Sequence, residues 1–296
     1  MESPKPIQTA GLIGWFPLAA LPLSVFALYN FLRPWEFMWI LAASIYVGLK
    51  WLSWWKAQAR IPHAAWRSFA YILAWPGMDA ESFLDATKVP PAPRLRDWAW
   101  AILETCLGAI VLWATARNTP QEYPLLRGWV GMLGLIMLLH FGSFQILAFL
   151  WQSFGVMATP IMSAPLRSES LSEFWGKRWN LGFRQLSYDL IFAPLHRRLG
   201  VGATTFLVFA ASGLIHDLVI SVPARGGFGL PTAYFLFQGL GVAVERSTLG
   251  KKLGLRGRLR GWLFMAVVAA GPVFWLFHPP FVLHVIIPFM KAIHAL

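Results

Sequence analysis

Residues 167–217 read RSESLSEFWGKRWNLGFRQLSYDLIFAPLHRRLGVGATTFLVFAASGLIHD. The first part, Arg167 to Arg198, interleaves cations with large rings, as helices lying at a membrane surface do. It leads directly into an apolar run, Val201 to Ser221, that carries His216 and Asp217. A run of this length suffices to cross the hydrocarbon, which takes about 20 helical residues at about 1.5 Å each. His216 lies about fifteen residues into the run, roughly 22 Å from its start, so its imidazole is expected deep in the bilayer. Polar groups at that depth are costly, and their default reading is functional.

Working outward, further apolar runs predict spans near Gly11–Asn30, Trp35–Trp55, Trp98–Ala116, Trp129–Phe154, Gly229–Val244, Trp262–Phe277 and Phe281–Ile293. The sequence therefore reads as an all-α integral membrane protein. About eight transmembrane helices, with amphipathic interfacial helices, would form a single membrane domain over residues 1–296. The composition agrees: 57% of residues are hydrophobic, 13% are charged and mean hydropathy is +0.56. The excess of 25 Lys and Arg over 13 Asp and Glu is the loop charge of a membrane protein and not a nucleic-acid footprint. With the N-terminus in the cytoplasm, every cation except Arg33, Arg117, Arg127 and Arg225 falls inside, so both termini are expected to be cytoplasmic. No cleaved signal peptide is expected: the start, MESPKPIQTA, is polar. A short chain without eukaryotic sorting signals points to a bacterial inner membrane rather than the endoplasmic reticulum.

The segments outside the spans have readings of their own. Ile61 to Trp75 mixes His63 and Arg67 with Trp66, Phe69, Ile72 and Leu73, as an interfacial helix would. Pro90, Pro91 and Pro93 stiffen the approach to the third span. The basic, Gly-interrupted stretch Lys251 to Gly261 suits contact with anionic membrane lipids. The lone cysteine, Cys106, excludes an intrachain disulfide and a Cys-based metal cluster.

Ser170 and Glu173 form an S-x-x-E box, which predicts a helix from Leu171. Continued through Arg184, that helix would place Leu171, Phe174, Trp175 and Trp179 on one side. Glu173, Gly176, Lys177, Asn180 and Arg184 would fall on another. Gly176 then leaves room beside Asn180, and cations flank it, an arrangement that fits an anionic, hydrogen-bonding guest. An ordinary interfacial helix anchored by Trp residues accounts for the same pattern, though it explains Asn180 least well.

Within the His216 span, the small Ser212 and Gly213 open a recess beside the ring, while Asp217 projects about 100° away. A neutral imidazole accepts a hydroxyl proton and returns it near physiological pH. A histidine merely hydrogen-bonded between helices is the alternative. His140 is intramembrane too and suits either the same cavity or an interhelical hydrogen bond. His63, His196 and His294 are expected at interfaces, and His278 at a loop beside Pro279 and Pro280, with His284 in the last span. Neither a metal nor a haem site is expected, and no phosphate-loop, nucleophile-elbow, zinc-protease or paired-cysteine motif occurs.

Three blocks, LRSESLSEFWGKRWN, SGLIHDL and PTAYFLFQGLGVAVE, follow one another between residues 165 and 245. Together they resemble the wax synthase branch of the membrane-bound O-acyltransferase superfamily, in order and spacing. The resemblance implies an enzyme whose helices surround an intramembrane reaction chamber and which moves a fatty acyl group from acyl-CoA to the hydroxyl of a lipophilic alcohol, with acyl-CoA as co-substrate and no cofactor. The family's asparagine falls on Asn180 and its intramembrane histidine on His216. The chain departs from the pattern at Asp217, where many members carry Glu, and at Gln238, often His in plant wax synthases, which opens the choice of acceptor. His216 would then act as general base and Asn180 would hold the thioester or its developing oxyanion. The acyl-CoA would be met by Trp175, Lys177, Arg178, Trp179 and Arg184, with Ser212, Asp217, Gln238 and His140 in secondary roles. The same chemistry on a sterol, terpenoid or diacylglycerol is an alternative. A proton-coupled transporter relaying through His216, Asp217 and His140 is the rival from another class.

Overall fold

The computed structural model describes residues 11–296, and every regular element among them is a helix. In chain order these are α1 (Leu12–Phe26), α2 (Pro34–Gln58), α3 (Ala65–Ala74), α4 (Ala80–Leu84), α5 (Leu95–Asn118), α6 (Pro124–Ser153) and α7 (171–178). There follow α8 (Leu181–Ala224), α9 (Leu230–Arg246), α10 (Thr248–Leu253), α11 (Arg258–Leu276) and α12 (Pro279–Ala292). Each of the eight expected spans falls on a helix. Five helices, α2, α5, α6, α8 and α11, are long and apolar enough to cross a membrane. Helices α1 and α12 are apolar but shorter, and α9 has 17 residues.

The chain is an integral membrane protein, and its surface shows why. Ile102, Leu107, Ile110, Leu133, Leu214 and Val267 point outward along their helices, which is stable only against lipid. Inside, helix pairs approach through small residues, the usual route to close packing where lipid and side chain are equally apolar. A Cβ at Gly48 would come within 2.6 Å of the Leu18 backbone, and one at Gly108 within 2.4 Å of Leu138. At Gly213, the α8–α9 crossing, a Cβ would stand 2.8 Å from Thr232 Cα.

Two local features differ from the sequence expectation, and both bear on the cavity wall. The helix that starts at Leu171 stops at Arg178 instead of continuing through Arg184. Trp179 is extended (φ −99°, ψ 127°) and Asn180 is left-handed (φ 43°, ψ 63°), a conformation that Asn tolerates better than most side chains. The break is held by the preceding loop, because Ser163 N donates to Arg178 O and Leu181 N to Ile161 O, both at 2.8 Å. The basic arm that precedes the His216 span is also continuous with it. The helix α8 kinks at Gly200 (φ 79°), a backbone state that glycine adopts without a Cβ penalty.

Candidate active site

A cavity of about 370 Å³ lies between α7, α8 and α9. The sequence that builds its near wall begins with a true N-cap: Ser170 Oγ accepts from Glu173 N at 3.0 Å. The Glu173 carboxylate reaches back to Glu169 N at 2.8 Å, one residue earlier than a reciprocal capping box would place it. Its other oxygen takes the Arg178 guanidinium at 2.6 Å. The Glu169 N–H, together with Arg178, holds the Glu173 carboxyl below the usual carboxylate range against the opposing effect of burial.

Asn180 ends this wall as the N-cap of α8. Its Oδ1 accepts from Phe183 N at 3.2 Å, which assigns the amide orientation and leaves Nδ2–H2 as a donor. Asn180 lines the cavity, as do Trp175, Gly176, Trp179 and Arg184. The five share a wall although they do not share a helix face. A Cβ at Gly176 would meet nothing within 4 Å, so there is open space over that stretch of backbone.

His216 lines the same cavity, on the second arm of α8, with Ser212 one turn before it. Its Nδ1 lies 2.7 Å from the Ser212 carbonyl oxygen. A carbonyl only accepts, so Nδ1 carries the proton and Nε2 presents a lone pair. The ring packs against Phe235, centroids 4.4 Å apart. Trp175 in turn packs against Phe209 and Phe235. Its indole N–H donates to Gln238 Oε1 at 3.3 Å, while Gln238 Nε2 donates to Val268 O at 2.8 Å. Gln238 is fully buried and stands behind the wall rather than in it.

Asp217 does not line this cavity and points to a different side of α8. Its carboxylate accepts from Ser221 Oγ (2.8 Å), Gly229 N (2.9 Å), Thr232 N (3.0 Å) and the Thr232 hydroxyl. It thereby caps the start of α9, where exposed N–H groups favour negative charge. Ser221 also receives the Nε2–H of His278 at 3.2 Å, and His278 Nδ1 accepts from Phe281 N. His278, read from sequence as a loop histidine, is fully buried. At the other end of α9, buried Glu245 accepts from Leu171 N and Ser172 N. Two carboxylates thus fix α9 at both ends, one to α8 and one to α7, with the cavity between.

The remaining expected residues lie elsewhere. Lys177 is exposed outside the cavity wall, and Arg178 is turned toward Glu173 and the carbonyls of Ser163 and Ala164. His140 sits on α6 against Phe144, its Nδ1 buried without a partner among the described residues. It does not line the cavity with His216. Arg246, at the end of α9, does, and so does Tyr188 on α8. In the sequence Arg246 looks like the first cation of a basic loop, and its distance from Asn180 hides their proximity. Among the described residues no group of His, Cys, Asp or Glu could hold a metal ion.

Residues 158–237 match the family model described as the membrane bound O-acyl transferase family. The chain is similar to the long-chain-alcohol O-fatty-acyltransferase of Simmondsia chinensis, 29% identical over 144 residues covering 44% of this chain and 40% of that protein. It is also similar to two Arabidopsis thaliana proteins named probable long-chain-alcohol O-fatty-acyltransferases 7 and 3. Each is 27% identical over 42% of this chain, covering 40% and 44% of the relatives. The chain spans about two fifths of the length of the curated relatives it matches. The family-model match, residues 158–237, falls on most of the segment that builds the cavity.

Proposed function

We propose that the chain is an O-acyltransferase that passes a fatty acyl group from acyl-CoA to the hydroxyl of a lipophilic alcohol, forming a wax ester inside the membrane. The observation that carries this reading is the pairing, in one cavity, of a histidine with a bare Nε2 and an asparagine with a free amide donor. His216 Nε2 takes the alcohol proton as the oxygen attacks the thioester carbonyl. Asn180 Nδ2 donates to the oxygen on which negative charge develops. Collapse of the tetrahedral intermediate expels the thiolate, which recovers the proton from His216. No acyl-enzyme is required, and the reaction needs no cofactor beyond the acyl-CoA co-substrate.

The walls suit this use. Trp175, Trp179 and Phe209 present apolar surface to a hydrocarbon chain, while the Ser212 carbonyl keeps the base in its productive tautomer. Both termini face the cytoplasm in this proposal, with the acyl-CoA arriving from that side of a bacterial inner membrane.

The test is purified protein in lipid vesicles with labelled acyl-CoA and a panel of long-chain alcohols, sterols, terpenoid alcohols and diacylglycerol, with products separated by thin-layer chromatography. Labelled wax ester from the long-chain alcohols supports the reading. Label only in another acceptor's ester changes the substrate, and no ester from any acceptor ends it. The geometry does not favour proton-coupled transport, because His216, Asp217 and His140 do not form a continuous file: Asp217 is saturated by Ser221, Gly229 and Thr232, and His140 stands on another helix.

A further inference from the structure

Two arginines reach the cavity from different helices, Arg184 from the first arm of α8 and Arg246 from the end of α9. Both are exposed, and neither is within ion-pair distance of a carboxylate among the described residues. Arg184 has Gln185 Oε1 at 3.2 Å and lies over the Tyr188 ring, and Arg246 Nε donates to Ser172 Oγ at 3.2 Å. Arg178, the cation nearest Arg184 in sequence, is instead spent on Glu173 and two carbonyls. An unneutralised guanidinium keeps its forked donors available for a phosphate, which it binds bidentately.

We infer that Arg246 and Arg184 form a clamp for the phosphate groups of the acyl carrier, with Arg246 as the binding residue that the basic loop conceals. This rests on the acyl-transfer reading. The clamp fixes the nucleotide end of the carrier at the cavity mouth and lets its thioester reach inward past Gly176, where the space is open. The same chemistry would also take a phospholipid headgroup, so the experiment separates the two sources.

The experiment compares KM for palmitoyl-CoA with KM for palmitoyl-pantetheine, which keeps the thioester and lacks every phosphate. It uses wild type, Arg246→Gln, Arg184→Gln and Arg197→Gln, the last an exposed cation of the same helix outside the cavity. Vesicles are phosphatidylcholine with and without phosphatidylglycerol. Loss of a charge-assisted contact should raise KM for palmitoyl-CoA about tenfold in each of the first two variants. KM for palmitoyl-pantetheine should stay at the wild-type value, Arg197→Gln should behave as wild type, and Arg246→Lys should recover part of the loss.

An unchanged KM in Arg246→Gln overturns the inference, as does an equal rise with both donors. So does a defect that appears only with phosphatidylglycerol present, which would assign the pair to a headgroup. If wild type acylates no alcohol from either donor, the acyl-transfer reading has failed by itself. Equilibrium dialysis with coenzyme A then reads the clamp directly: weaker retention in Arg246→Gln upholds it, and equal retention overturns it.

Discussion

His216 and Asp217 are neighbours in the chain and point to different sides of α8, and the two sides use polarity in opposite ways. On the Asp217 face every polar atom has a partner: four donors converge on the carboxylate, and Ser221 and His278 extend the network into the core. On the His216 face one ring nitrogen is committed to Ser212 and the other faces a cavity. Satisfied polar groups hold helices together where water is scarce, whereas a group with spare valence in a cavity is free to act on a guest. Depth in the membrane alone would have ranked these residues together.

The comparison can be broken first at the seam between the faces. Gly213→Val drives a Cβ to 2.8 Å from Thr232 Cα and 3.2 Å from its carbonyl, a clash that backbone must absorb. The expected outcome is loss of folded protein, read as detergent-extracted monodisperse yield in size-exclusion chromatography. Next is the saturated face itself. Asp217→Ala strands four donors and should cost about 3 kcal/mol of stability, seen as a lower thermal midpoint. Turnover per folded molecule should change far less.

The cavity face is sharpened by Asn180→Asp. It keeps an oxygen for Phe183 N and removes the amide donor, so the thermal midpoint should hold while turnover falls about 100-fold, the scale for an oxyanion donor. The smallest effect belongs to the wall's anchor. The Glu173 carboxyl is held below its unfolded range, so its contribution to stability is fully present above the unfolded value of about 4.3. It is lost as pH falls through the lower folded value. Hydrogen exchange at residues 171–178 should therefore be unchanged between neutral pH and about pH 5 and should quicken only on further acidification.

Much of this was legible in the sequence, for a physical reason: spans, depth and the polar residues within them are written in local hydropathy. The positions of the apolar helices, and of His216 within one of them, could be read that way; that Asn180, Trp175, Trp179 and Arg184 line one cavity could not, because helical periodicity puts them on two sides of an unbroken helix. The break at Trp179–Asn180 could not, since it depends on pairing with residues 161–163, a tertiary contact that helical periodicity does not encode. Arg246 was hidden likewise, because a cation near a helix end looks the same whether it faces water or a cavity. The role of Gln238 is visible only once Trp175 and Val268 are seen at its two ends. His278 was misleading for its Pro279–Pro280 context, which suggests an exposed turn where the structure has a buried helix start.

The most direct measurement is the turnover of purified His216→Ala with labelled acyl-CoA and a long-chain alcohol, at matched folded protein and alongside its thermal midpoint. Removing the imidazole whose lone-pair nitrogen faces the cavity should lower ester formation by about 10³-fold, within the span for general-base catalysis, with the midpoint nearly unchanged. Ester formation close to the wild-type rate would show that the cavity does its chemistry without His216.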